Sequence, residues 1–214
     1  MKFLYGLAGA NIPVIREFDV DPAEKFEAGQ IVKCSPEGII AKDAIGTCLG
    51  VAAETHSGKE DILNERANGS KLRVDVTQGG VYAVSAPKLT ASGKGTSTTF
   101  VCVADNISTN LNGAKLVLVE KGEGSANTDS IGTVRKVSGV TIDSTTATFT
   151  LNAGGTANAG DVYMLIPPVG FSGHVSDDKG GFVCIGSNTG VSLEVVGGNE
   201  KTGLLEVLIT GKTF

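Results

Sequence analysis

The sequence contains no tryptophan, and aromatic residues make up only 5% of it. A platform for stacking sugars or unpaired bases therefore has little to be built from. Histidine is almost as scarce: His56 and His174 are the only two and lie in separate segments, too few imidazoles for a His-rich zinc site. The 18 Lys and Arg residues form no cluster and are outnumbered by 23 Asp and Glu, for a formal charge of −5. Nothing in that distribution could follow a phosphate backbone, so nucleic acid is not an expected partner. No apolar run approaches the roughly 18–20 residues that a membrane-spanning helix needs. The opening MKFLYGLAGANIPVIREF is also a poor secretory signal. One lysine precedes the run, Gly6 and Gly9 interrupt it, and Pro13-Val14-Ile15 stays apolar where a cleavage region turns polar. The expectation is a soluble, unexported chain with no membrane partner.

Cysteine is present but not patterned. Cys34, Cys48, Cys102 and Cys184 are far apart, none forms a CxxC pair, and two, Cys102 and Cys184, sit between apolar neighbours. They read as structural thiols, with a disulfide or a metal site as the alternatives.

What the chain does have is glycine, 30 of 214 residues and about twice the usual share. With many Thr and Val and only 19% charged residues, this composition predicts short strands joined by tight turns. The length allows one domain or two small ones.

Catalytic and metal chemistry finds no foothold. In GVAAETHSGKED, residues 50–61, Glu54, His56, Glu60 and Asp61 lie close together around Ser57-Gly58. A base or a metal site needs groups held rigidly on one point, whereas this cluster follows a strand and precedes a polar segment, and so reads as a solvated turn. VSDDKGG, residues 175–181, lacks the acid spacing of a calcium loop and reads as a hairpin turn. Gly154-Gly155 and Gly197-Gly198 are not followed by GK[ST], there is no GxSxG elbow, and Ser85, Ser92 and Ser172 have no evident base nearby. No catalytic residue, cofactor or metal is expected.

Along the chain, residues 1–17 are apolar without a clean period and contain Pro13, which suits an extended arm. From Phe26 to Thr55 short β-rich runs alternate with turn signals such as Ala28-Gly29 and Pro36-Glu37-Gly38. KEDILNERANGSKL offers at most one helical turn. KLRVDVTQGGVYAVSAP predicts a hairpin, with Leu72, Val74 and Val76 alternating, a turn at Gln78-Gly79-Gly80, and a return along Val81–Val84. Further strands follow, separated by the polar segment KGEGSANTDSIG, which predicts an exposed, mobile loop, and the last 35 residues carry three more. A faint echo links EAGQIVKCSPEG (27–38) with NAGDVYMLIPPVG (158–170): Ala-Gly, a polar residue, an apolar strand, then a proline turn.

Two stretches carry a family resemblance. FDVDPAEKFEAGQIVKCSPEGIIAKDAIGTCLGVAAETHSGKED resembles the opening of tailed-bacteriophage head decoration (capsid cement or head fibre-like) proteins. In these an apolar arm precedes an x-A-G-[DQ]-x-V strand, and a small barrel ends in iGVAxE…G. VTIDSTTATFTLNAGGTANAGDVYMLIPPVG is similar to the second β-unit of longer phage head proteins, where a strand pair leads into xAGDxxxxxP. The resemblance implies manufacture in the host cytoplasm, a place on the capsid exterior of the virion, the phage major capsid protein as partner, and a homotrimer clamping adjacent capsomers.

The expected fold is therefore all-β: a small β-barrel or β-sandwich domain with a second β-domain inserted. Residues 1–17 form the arm, 18–96 with 171–214 the capsid-binding domain, and 97–170 the insertion. The expected capsid contacts are Phe3, Leu4, Tyr5, Ile12, Pro13 and Val14, which could order on a neighbour by strand addition or instead pack over the chain's own barrel. The expected function is shell stabilisation without catalysis. The alternative is a receptor- or carbohydrate-binding β-module, a head fibre or adhesin, using the loop from Lys121 to Ile131.

Overall fold

The structure, a computed structural model, describes residues 1–6, 12–34, 40–41, 49–56, 70–105, 107–175, 182–183 and 191–210. Among these residues every regular element is a β-strand and every pairing is antiparallel, so the protein is all-β. Three sheets are formed. The first has the order β1 (Lys2–Gly6), β7 (Gly80–Ser85), β17 (Leu204–Ile209), β16 (Val191–Asn199), β14 (Ser172–Val175), β15 (Phe182–Val183). The second runs β8 (Lys88–Thr90), β13 (Val162–Ile166), β10 (Lys115–Glu120), β11 (Val134–Asp143), β12 (Thr146–Leu151), β9 (Thr99–Val103). The third runs β2 (Ile15–Asp19), β6 (Lys71–Asp75), β5 (Gly50–Ala52), β3 (Ile31–Cys34), β4 (Ile40–Ala41).

The second sheet closes on itself. Just past β8, Ala91 bridges Cys102 of β9, and the Ser92 amide donates to the Val101 carbonyl at 3.0 Å. The result is a six-stranded antiparallel barrel with no open edge between its first and last strands. Alternate residues fill it. Phe100 stands directly opposite Phe149, the two rings meet edge-on at 5.6 Å, and Tyr163 completes the stack 4.9 Å from Phe100. The barrel begins at Lys88, upstream of the boundary at residue 97 read from the sequence, because a strand of three residues is too short to show a period.

One core joins the barrel to the first sheet, whose Leu193, Val195, Leu205 and Val207 pack with the barrel's buried residues. The third sheet keeps a smaller core of its own, centred on Phe26, Leu72 and Val74, with Phe18 against it.

The hairpin expected across Gln78-Gly79 is not one. Strands β6 and β7 both form and Gly79 turns at φ +61°, but β6 pairs with β2 and β5 while β7 pairs with β1 and β17. The Asp75 carboxylate accepts the Thr77 amide at 2.9 Å and the Thr77 hydroxyl at 2.6 Å, which ends β6 early and turns the chain into the other sheet. The predicted helical turn within KEDILNERANGSKL lies almost wholly outside the described residues, as does nearly all of VSDDKGG.

The echo between residues 27–38 and 158–170 has a physical basis. Glu27–Gln30 and Asn158–Asp161 form the same turn. In each, the fourth residue's amide donates to the first residue's carbonyl at 3.0 Å. Its side-chain oxygen in turn accepts the first residue's amide, at 2.8 Å for Gln30 and 3.0 Å for Asp161. Gly29 and Gly160 sit at φ +90° and +85°, the left-handed position that favours glycine. Each turn then docks on one alanine. The Gly29 amide donates to Ala52, whose amide donates to Gln30; the Gly160 amide donates to Ala91, whose amide donates to Asp161, all at 2.7 to 2.9 Å. Strands β3 and β13 leave these turns in the same register against β5 and β8.

Candidate functional site

The six expected contact residues divide into two groups. Phe3 lies in β1, packs on the main core and meets the Tyr82 ring edge-on, centroids 5.7 Å apart, so it serves the chain's own fold. Leu4 is exposed beside it, and the backbone of Tyr5 pairs with Val81. Further along, Ile12 is 79% exposed, Pro13 is half-buried and Val14 is 47% exposed, with Ile15 at 42% beside them. The backbone here is nonetheless fixed: the Val14 amide donates to Thr77 Oγ1 at 2.7 Å, and its carbonyl accepts the Val76 amide at 2.9 Å. Ile12 to Ile15 thus form an apolar ledge on a pinned extended segment.

Beneath the ledge, a cleft of about 490 Å³ separates the first and third sheets. Pro13, Ile15, Phe3, Val51 and Tyr82 line it, with Asp75 at one wall. Its polar groups are mostly committed: Glu54 Oε1 accepts the Arg73 amide at 3.0 Å, and Asp75 Oδ1 holds Thr77.

The cluster read as a solvated turn has a histidine that is not solvated. His56 is fully buried and exchanges two 2.8 Å backbone hydrogen bonds with Phe26. Its Nδ1 lies 3.1 Å from the Glu24 carbonyl, and its ring stands edge-on to Phe26 at 6.0 Å. The neighbour that buries it is thirty residues away in sequence, so the local polar composition misled. Glu60 and Asp61 lie outside the described residues. Of the cysteines, Cys34 is exposed and free, while Cys102 is free and buried in the barrel, where burial pushes its thiol up to about 11.

The loop from Lys121 to Ile131, expected to be mobile, is tied down at its middle. Buried Asn127 donates through Nδ2 to Asp161 Oδ2 and to Tyr163 Oη, both at 2.8 Å, and Lys121 Nζ donates to the Asn127 carbonyl at 2.7 Å. Burial alone would raise the Asp161 carboxyl, but hydrogen bonds from Asn158, Ser125, Asn127 and Gly122 outweigh it and hold the group below the usual carboxylate value. Burial raises the Tyr163 hydroxyl. Next to this network, fully buried Arg135 donates to three carbonyls: Gly155 at 2.6 Å, Asn152 at 2.5 Å, and Ser97. Asp129 approaches Arg135 at 3.8 Å and accepts the Gly155 amide at 2.8 Å. Arg135 was not singled out in the sequence because, between Val134 and Lys136, it looks like a solvent-facing charge.

A second groove, of about 600 Å³, runs over the barrel's outer face beside the turn joining β16 to β17. Val117, Val119 and Met164 form its floor, exposed Ile131 and Val134 one wall, and Lys88 and Lys201 its rim. Glu200, in the same turn, is paired with Lys115.

Among the described residues no three His, Cys, Asp or Glu side chains are grouped to hold a metal ion, and no helix is long and apolar enough to cross a membrane. Compared with models of known protein families, with curated proteins and with solved structures, the chain matches none. What the geometry offers is an all-β body with exposed apolar surfaces.

Proposed function

We propose that this protein is a non-catalytic structural component of a phage virion, seated on the capsid exterior as a homotrimer and stabilising the shell through the major capsid protein. The observation that carries this reading is the ledge at Ile12 to Ile15. Exposed apolar side chains on an already ordered segment lose little conformational entropy when a partner covers them. Strand addition is available beside it. The Val20 amide donates to Ser70 and the Val76 amide to Val14, so the even-numbered residues of β2 face β6. The backbone groups of Ile15 and Asp19 point the other way, toward an edge that no described strand occupies. The A-G-[DQ] turns behind the phage resemblance also lend support, since both build the same docked unit.

The test is co-sedimentation with undecorated phage heads. Wild-type protein is expected to bind saturably and to raise the heads' resistance to heat. Ile12→Asp/Val14→Asp is expected to keep the wild-type melting temperature and lose binding. Failure of the wild type to bind would sink the capsid role, and full binding by the variant would sink the ledge as its contact. Point substitutions are preferred to removing residues 1–16, because that truncation deletes β1.

A further inference from the structure

We propose that the groove on the barrel's outer face and the tip of the β11–β12 hairpin are complementary surfaces through which one copy of this chain docks on the next, head to tail. Strand β11 runs the length of the barrel, with Val134 at one end and Asp143 at the other, roughly 30 Å apart at about 3.3 Å per residue. At the Val134 end lies the groove with an apolar floor and wall, in which Ile131 is 66% exposed. Its rim lysines, Lys88 and Lys201, have no ion-pair partner among the described residues, whereas Glu200 is held by Lys115. These two lysines give the rim a basic character on a chain whose net charge is −5.

The other end has the opposite character. Asp143 lies opposite Thr146, which lies opposite Val103, so the β11–β12 tip and the end of β9 share one surface. Val103 is 60% exposed in the outward row it shares with Thr146 and Asp143, Ile142 is exposed on the other face of the same tip, and Asp105 follows Val103 by two residues. No Lys or Arg occurs in residues 99–114 or 139–150, so nothing near the tip offsets these acids in the sequence. The tip is a projecting apolar knob with acidic flanks; the groove is an apolar trough with a basic rim. Because the two surfaces differ, the contact is heterologous, and the homotrimer proposed above is a ring closed by three such contacts.

The proposal rests on the self-association in the reading above, and not on the capsid. Sedimentation velocity at low salt is expected to show wild-type protein above monomer mass, with association weakening as salt rises. Lys88→Glu/Lys201→Glu and Asp105→Lys/Asp143→Lys alter exposed side chains only, so both are expected to melt as wild type and each alone to sediment as a monomer. Mixed one to one they are expected to associate again, since each variant's tip then meets a groove of opposite charge. A monomeric wild type, variants that assemble as wild type does, or a mixture that stays monomeric would each overturn the contact. A monomer that still co-sediments with heads would overturn this inference and leave the capsid role standing; an assembled protein that ignores heads would do the reverse.

Discussion

Asp161 shows how much one side chain holds. Its carboxylate joins three stretches of chain that meet only in the fold: its own turn at Asn158, the loop at Gly122 and Asn127, and the barrel wall through Asn127 to Tyr163. Because the folded state lowers its pKa, its stabilisation is complete above the unfolded value near 3.8 and drains away as pH falls through the lower folded value. Asp161→Asn is expected to cost about 1.5–3 kcal/mol at pH 7, the usual range for hydrogen bonds to a charged group. Urea midpoints for the two proteins should converge as pH is lowered toward 2, and equal midpoints at pH 7 would refute the role. The turn around Asp161 was legible, since Ala-Gly-Asp before an apolar run is a local signal. Arg135 was not: its acceptors come from residues 97, 152 and 155, and nothing in the sequence near position 135 announces them.

At the scale of elements, strand identity and strand pairing separate cleanly. Leu72, Val74 and Val76 alternate as a strand should, and Val81 to Val84 return as one, yet the turn between them carries the chain from the third sheet to the first. Alternation says which face of a strand is apolar; it does not say against which core that face packs. Strand β1 makes the same point, because an apolar segment with no clean period proved to be the partner of β7 and the cover of Tyr82. Phe3→Ala is therefore expected to destabilise the protein by about 1–2 kcal/mol, less than a fully buried Phe because Phe3 is only half-buried. Leu4→Ala, on the exposed face of the same strand, is expected to change stability by less than about 0.5 kcal/mol. Thermal melts compare the two, and equal effects would mean that β1 contributes no packing.

Across the whole molecule, the closed barrel and the first sheet share one core, which Val51 of the third sheet joins, while the rest of that sheet packs around a smaller one. Local opening follows the amount of buried apolar contact. Amides in β10, β12 and β13 are accordingly expected to exchange about tenfold or more slowly than those in β3, β5 and β6 in native-state hydrogen exchange; uniform protection would mean a single cooperative unit. The sequence by itself determined that the protein is all-β and where tight turns such as those at Gly29, Gly79 and Gly160 fall. A left-handed glycine and a bond from residue i+3 back to residue i are settled within four residues. Only the tertiary structure decided that β8 closes the barrel onto β9, that His56 is buried, and that Ile12 to Ile15 lie exposed while Phe3 does not. Those outcomes depend on contacts between residues well separated along the chain, whose free energy arises from packing that no local pattern encodes.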